Sequence, residues 1–151
     1  PKVLRPTVVP ELETKLPKPS DIKITPGRTT LIYNSYNLDP AWKSGMDVNR
    51  ILLLEPFLFR RYPVSEKVIE FVLALADNIP DIQVFVGEFD DLAARVNGPI
   101  IFKEHPLSRH YRGTAEERDW MFGVAEYFPS FFRYWKKCES ELAGAQLALG
   151  F

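Results

Sequence analysis

Two histidines and a glutamate lie close together in residues 104–110, where they could take part in proton transfer. Glu104 precedes His105, and His110 follows five residues later. A histidine works as a general base when a carboxylate orients its ring, so this segment is a candidate for acid–base chemistry. The spacing of five fits neither a helical pair four residues apart nor a common pair of zinc ligands. We favour a solvated loop for both histidines, because most single histidines are not catalytic.

Cys138 is the other residue with nucleophilic potential. It lies in an apolar stripe, which favours burial over catalysis. A single cysteine cannot form an internal disulfide, and no Cys/His set has zinc spacing, so we expect no metal. This cysteine usage and the lack of a signal-peptide pattern predict a cytoplasmic location. The apolar runs are far shorter than the ~20 residues of a membrane span, so no membrane partner is expected.

The charges are almost balanced, which disfavours a protein built around nucleic-acid phosphates. Nineteen basic and twenty acidic side chains give a net charge of -1. Tyr111, Tyr134 and Trp135 lie among arginines and lysines and could stack on bases. We favour ordinary surface charge instead, because no basic run exceeds two residues.

The sequence also lacks the motifs of several large enzyme classes. No G-x-G-x-x-G follows a predicted strand, and no Gly-Lys-Ser/Thr phosphate loop occurs. The G-x-S-x-G elbow of the α/β hydrolases is missing as well. No residue is therefore predicted to be catalytic.

The chain has 151 residues, the length of one domain. Hydrophobic residues make up 46% and charged residues 26%, as in globular proteins. Six of the 13 prolines lie within the first 26 residues, which predicts a proline-rich extended linker or arm over residues 1–28. Residues 29–151 are predicted to form an α/β domain with a C-terminal amphipathic helix. Because the sequence starts at Pro1 rather than Met, we expect it to be a piece of a larger protein.

Apolar runs that alternate with amphipathic segments predict alternating strands and helices. Strands are expected at 29–33, 51–54, 82–86 and 99–102, and helices at 65–78, 90–96 and from Pro129 onward. Ser65 is the predicted N-cap of the first helix. A continuous apolar run such as 51–54 suits a strand buried on both faces. The predicted fold class is α/β, with three layers and a mostly parallel, Rossmann-like sheet of about four to five strands.

In such sheets, ligands bind beyond the carboxyl ends of the strands. The residues that follow the predicted strands include polar and aromatic side chains, with Gly87 and Lys103 beside them. The candidate cofactor-binding residues are Asn34, Tyr36, Glu55, Glu88, Glu104 and His105. Trp42 lies in the loop 41–50 and is either an anchor in the core or an exposed recognition residue.

Several phrases of the sequence resemble the C-terminal α/β region of bacterial photolyase- and cryptochrome-like FAD-binding proteins. The segment 100–111, followed by Glu117, Arg118 and Asp119, resembles the α/β domain that begins photolyases. The phrases similar to the bacterial flavoproteins are 31–34, 51–56, 62–68, 85–89, 103–106 and 127–132, within residues 29–139. The resemblance implies an antenna-type, Rossmann-like α/β fold.

The resemblance further implies an accessory, non-catalytic domain with no cofactor of its own. The parent protein would hold FAD in a helical domain upstream of this chain, and DNA would be contacted through that domain. The parent protein would either repair DNA pyrimidine dimers in a light-driven reaction or act as a photoreceptor. Two alternatives are left open by the residues. One is a stand-alone domain that binds a small ligand, nucleotide or chromophore, and the other is an interaction module that docks through its final helix.

Overall fold

The computed structural model describes residues 11–118 and the helical residues 135–136, 139–140 and 143–144. The chain divides into two compact units, Pro1–Glu117 and Arg118–Phe151. The start of the predicted final helix at Pro129, and Cys138 within its stripe, lie outside the described residues. In the described ranges, no helix is both long and apolar enough to cross a bilayer.

The first unit alternates strands and helices along the chain. Its strands are Thr30–Tyr33 (β1), Asn49–Leu54 (β2), Ile82–Val86 (β3), Ile100–Lys103 (β4) and Thr114–Glu116 (β5). Its helices are Pro56–Arg61 (α1), Glu66–Ala76 (α2) and Phe89–Ala93 (α3), and a 3-10 turn, Pro106–Ser108, follows β4. The four expected strands lie within two residues of their predicted bounds.

The five strands form one parallel sheet in the order β3-β2-β1-β4-β5. Ile32 in β1 lies opposite Ile51 of β2 and Phe102 of β4. The chain therefore builds outward from β1 to β3 and then returns past β1 to add β4 and β5. The predicted α/β fold with a mostly parallel sheet is confirmed.

The continuous apolar run of β2 is explained by burial on both of its faces. Leu52 and Leu54 belong to one apolar cluster together with Val72 of α2. Ile51 and Leu53 belong to a second cluster, which includes residues of α3. Because successive side chains of a strand point to opposite faces, α2 and α3 lie on opposite sides of the sheet. The result is a three-layer arrangement with the core on both sides of the central strands.

Besides the 3-10 turn, one helix and one strand of the first unit were not predicted. Helix α1 begins at Pro56, directly after β2, where proline suits the first helical position. Strand β5 has only three residues and follows Gly113, whose φ is 135°. A Cβ at Gly113 would lie 2.5 Å from the Ile100 carbonyl oxygen, so only glycine fits this close approach to β4.

The two predicted helices of the first unit are present but shorter than expected. Helix α2 ends at Ala76 rather than residue 78, and α3 covers Phe89–Ala93 rather than 90–96. Ser65 occupies the N-cap position of α2, but its side chain makes no capping hydrogen bond. Ile69, Val72 and Ala76 form the buried face of α2.

Residues 11–25 contain neither helix nor strand and run along the α/β unit. Leu16 packs against the cluster on the α2 side, whereas Ile22 and Ile24 pack against the cluster on the α3 side. Thr14 Oγ1 donates to the Val64 carbonyl at 3.1 Å and accepts from the Val64 N–H at 2.8 Å. The described part of the arm is thus held by apolar contacts on both faces of the sheet and by side-chain bonds.

Two amides at the amino end of the sheet bind the backbone of this arm. The Asn49 side chain accepts from the Thr25 N–H at 3.0 Å and donates to the Thr25 carbonyl at 3.1 Å. The Gln83 side chain does the same with Lys23, at 2.7 Å and 2.8 Å. Each amide therefore satisfies one donor and one acceptor of the extended chain.

The loop before β2 is organised by a buried arginine. The Arg50 guanidinium donates to the Tyr33 hydroxyl at 2.8 Å and to the Lys43 carbonyl at 2.8 Å. Trp42 is buried and meets the Tyr33 ring edge-to-face at 4.9 Å. Of the two roles considered for Trp42, the anchor in the core is the correct one.

Candidate functional site

A cavity of about 400 Å³ opens at the carboxyl end of the sheet. Helix α2 forms one apolar wall with Val68, Phe71, Val72 and Leu75. Helix α1 and the residues after it supply Leu58, Phe59, Tyr62, Pro63 and Val64. The turn after β1 and the loop after β4 complete the lining with Asn34, Ser35, Tyr36, Leu107 and Tyr111, and Leu53 and Glu55 lie at its floor. The size and apolar character are those of a small-molecule site.

Three of the six candidate residues line this cavity: Asn34, Tyr36 and Glu55. His105 lies beside them, because its ring stacks on Tyr36 with centroids 4.1 Å apart and planes 13° apart. Glu104 is exposed and does not line the cavity. The rule that ligands bind beyond the strand ends thus brings four of the six residues together around one opening.

The role of His105 is visible in its hydrogen bonds. The ring Nδ1 of His105 accepts from the backbone N–H of Leu107 at 3.1 Å. The backbone N–H of His105 donates to Ser108 Oγ at 3.1 Å. These bonds form a capping box around the 3-10 turn. The histidine therefore shapes the loop after β4 and presents its ring to Tyr36.

The buried acid Glu55 is the polar centre of the site. Only 2% of its surface is exposed, and its two carboxylate oxygens lie 2.8 Å and 2.9 Å from His110 Nε2. Its Oε2 also accepts from the Phe89 N–H at 3.0 Å. His110 is 43% exposed, so the pair joins a buried carboxylate to an imidazole at the surface. The condition for an oriented histidine is met, but by Glu55 rather than by the neighbouring Glu104.

Glu55 and Glu88 cap each other's helices. Glu55 is the N-cap residue of α1, yet its carboxylate binds the Phe89 N–H in the first turn of α3. Glu88 is the N-cap residue of α3, and its Oε1 accepts from the Phe57 N–H of α1 at 2.9 Å. These reciprocal caps place a negative charge at the positive end of each helix, where it is favourable. Glu88 is thus placed beside Glu55, although it does not line the cavity.

Tyr111 extends the polar network into the cavity. Burial raises the pKa of the Tyr111 phenol, and the Glu55 charge raises this pKa further. A hydrogen bond with Glu55 acts in the same direction, whereas one with Asn34 lowers the pKa. The phenol therefore stays neutral and links Asn34 to the Glu55–His110 pair. Its ring stacks on Phe89 at 4.8 Å and only 7% of the residue is exposed, so it does not offer the surface for base stacking considered above.

This arrangement is suited to binding and support. Both oxygens of Glu55 are engaged by His110 and Phe89, so the carboxylate holds the loop after β4 against α3. Within the described ranges, no group of three or more His, Cys, Asp or Glu side chains could hold a metal ion. What the cavity offers is an apolar, aromatic space with Asn34, Tyr111 and Glu55 at one end.

Sequence reasoning missed the partners that complete the site. His110 was considered as a possible base without Glu55, which lies 55 residues away. Leu58 and Phe59 were not assigned to a site, and Tyr111 was considered only for base stacking. The Glu55-Pro56 pair was an available signal for α1, since proline is favoured at the first position of a helix.

No family model, no curated protein and no solved structure matches this chain.

Proposed function

We propose that this chain is a small-ligand-binding α/β domain and the non-catalytic accessory domain of a photolyase/cryptochrome-like flavoprotein. The observation that carries the binding function is the cavity of about 400 Å³ beyond the carboxyl ends of β1 and β2. It lies where open parallel sheets bind their ligands, and most of its lining is apolar or aromatic. Asn34, Tyr36, Glu55 and His105 are its proposed contact residues.

The accessory role is supported by the structural bonds that three polar side chains near the cavity make. His110 is bound to Glu55, and His105 caps the 3-10 turn through Nδ1. Glu55 in turn holds the first turn of α3. We therefore assign these side chains to support of the cavity.

The proposed parent rests on the sequence phrases that resemble photolyase-like flavoproteins. The parallel α/β fold agrees with the antenna-type domain that the resemblance implies. In this proposal an upstream helical domain holds FAD and contacts DNA, and the parent repairs pyrimidine dimers in light or senses light. A cytoplasmic location follows from the same proposal and from the single cysteine.

The binding function is tested by the thermal unfolding midpoint of the chain with riboflavin and with a pterin. A ligand that binds only the folded state raises this midpoint. Val68 lines the cavity and is 42% exposed, so Val68→Trp should block the opening without disturbing the core and should abolish the rise. Leu12→Trp is the matched control, since Leu12 is 53% exposed on the arm and outside this cavity. An unchanged midpoint for every compound would refute ligand binding.

The parent is tested independently by reading the gene upstream of the Pro1 codon and purifying the encoded protein. We expect a helical domain, a bound flavin spectrum and light-dependent repair or photoreduction. A reading frame that encodes no such domain would reject the accessory role and leave the cavity function untouched.

A further inference from the structure

We infer that the cavity accepts an uncharged aromatic ring compound that carries no phosphate group. This inference rests on the ligand-binding function proposed above and specifies its ligand class. It follows from the side-chain acceptors that already bind several backbone N–H groups at the carboxyl end of the sheet.

The N-termini of α1 and α3 each donate to one of the protein's own carboxylates. At α2 the Ser65 side chain makes no capping bond, but the acidic Glu66 lies in the first turn and disfavours an anion there. In α/β folds, phosphates commonly bind to free N–H groups where a helix begins after a strand. Here the Phe57 N–H of α1 donates to Glu88 at 2.9 Å, and the Phe89 N–H of α3 donates to Glu55 at 3.0 Å. A phosphate at either helix would have to displace a carboxylate that is held in place.

The ends of β1 and β4 are closed in a similar way. After β1, the Asn34 side chain accepts from the Tyr36 N–H at 2.9 Å. After β4, His105 Nδ1 accepts from the Leu107 N–H at 3.1 Å. Side-chain acceptors thus occupy the turn N–H groups that could otherwise receive an anion.

The charged groups near the cavity also disfavour an anion. Glu55 lines the cavity and Glu88 lies beside Glu55, and their negative charges would repel a phosphate bound there. Two neighbouring cations are paired with carboxylates, His110 with Glu55 and Arg112 with Asp90 at 2.6 Å. Arg61 donates to the Tyr62 hydroxyl at 3.2 Å.

What the cavity retains is surface for a flat ring. Tyr36, Phe59, Tyr62 and Phe71 contribute aromatic side chains, and α2 adds aliphatic ones. Tyr36, already stacked on His105, is 60% exposed at the opening. Such walls bind a planar heteroaromatic compound through ring contacts and apolar burial.

The test compares compounds that differ only in a phosphate: riboflavin with FMN, and adenosine with AMP. Dissociation constants are measured by titration calorimetry on the whole chain at one ionic strength. We expect at least one unphosphorylated compound to bind and its phosphate ester to bind at least tenfold more weakly. Glu88→Gln removes one repelling charge and should narrow that difference. Asp47→Asn, which removes a charge near Arg28 at the other end of the sheet, should leave it unchanged.

The outcomes separate this inference from the function on which it rests. Equal or tighter binding of FMN or AMP would overturn the phosphate-free assignment while leaving the ligand-binding function intact. Binding of none of the four compounds, together with an unchanged unfolding midpoint, would overturn both. A difference that Glu88→Gln does not narrow would show that the carboxylates are not the cause, and would overturn the inference.

Discussion

The two ends of the parallel sheet meet the same requirement with different chemistry. At the carboxyl end, Glu55 and Glu88 accept hydrogen bonds from the helix N-termini of α3 and α1. At the amino end, the neutral amides of Asn49 and Gln83 each bind one N–H and one carbonyl of the arm. A helix N-terminus presents only donors, whereas an extended chain presents donors and acceptors. A carboxylate therefore matches the first and an amide the second.

This difference also decides where charge accumulates. At the carboxyl end, Glu55 lines the cavity, and Glu88 and the imidazole of His110 lie beside it. The amino-end amides are uncharged and need no counter-ion. Substitutions at the two ends should therefore differ in size and in pH dependence.

The largest effect is expected at the carboxyl end. Glu55→Ala removes a buried carboxylate and leaves His110 and the Phe89 N–H without their partner. We expect the free energy of unfolding to fall by about 2–4 kcal/mol, because the Phe89 N–H loses a charged acceptor and a cavity is left in the interior. Glu88 is half-buried, and Glu88→Ala removes its carboxylate from the Phe57 N–H of α1. We expect the free energy of unfolding to fall by about 1 kcal/mol. Urea denaturation followed by circular dichroism measures both, and equal losses would contradict the central role of Glu55.

A smaller effect is expected at the amino end. Asn49 is buried, so Asn49→Ala leaves the Thr25 N–H and carbonyl without partners and should cost about 1–3 kcal/mol. The bonds of Gln83 are exposed to water, and Gln83→Ala should change stability by about 0.5 kcal/mol or less. Chemical denaturation gives the two values. Limited proteolysis should also show faster cleavage near Thr25 in Asn49→Ala, and resistance equal to the unmodified chain would argue against the amide clamp.

The last prediction distinguishes the two ends of the sheet by their pH dependence and concerns Tyr111. Its folded pKa is raised by burial above the unfolded value of about 10. As the pH rises, the phenol of the unfolded chain therefore ionises before that of the folded chain. The free energy of unfolding is unaffected below about pH 10, and it falls as the pH rises from there through the folded pKa. Tyr111→Phe should cost about 1 kcal/mol at pH 7 and make the alkaline loss less steep.

Tyr33 also contributes to the loss of stability at alkaline pH and has to be considered in this test. The pKa of Tyr33 is also raised by burial, so part of the alkaline loss should survive in Tyr111→Phe. Asn49→Ala should lower stability by the same amount at every pH, because no titrating group is involved. Parallel curves for Tyr111→Phe and the unmodified chain between pH 9 and 11 would contradict the pKa assignment.

Part of the site was predictable because it depends on a topological rule. Once the strands are located, the rule that ligands bind beyond their carboxyl ends selects Asn34, Tyr36 and Glu55, and all three line the cavity. The same rule selected Glu104, which is exposed outside it. Sequence position after a strand fixes the end of the sheet but not the direction of the following turn.

The sequence by itself determined the class of fold and the positions of its main strands. Apolar runs such as Ile51–Leu54 need burial on both faces, and this requirement is local enough to be visible in the order of residues. Only the tertiary structure decided that Glu55 meets His110 and caps α3, that Glu88 caps α1, and that β5 adds to the edge after Gly113. These contacts join residues 31 to 55 positions apart or depend on one close backbone approach. No periodic pattern encodes them, because they arise from strand order and from the paths of the connecting loops.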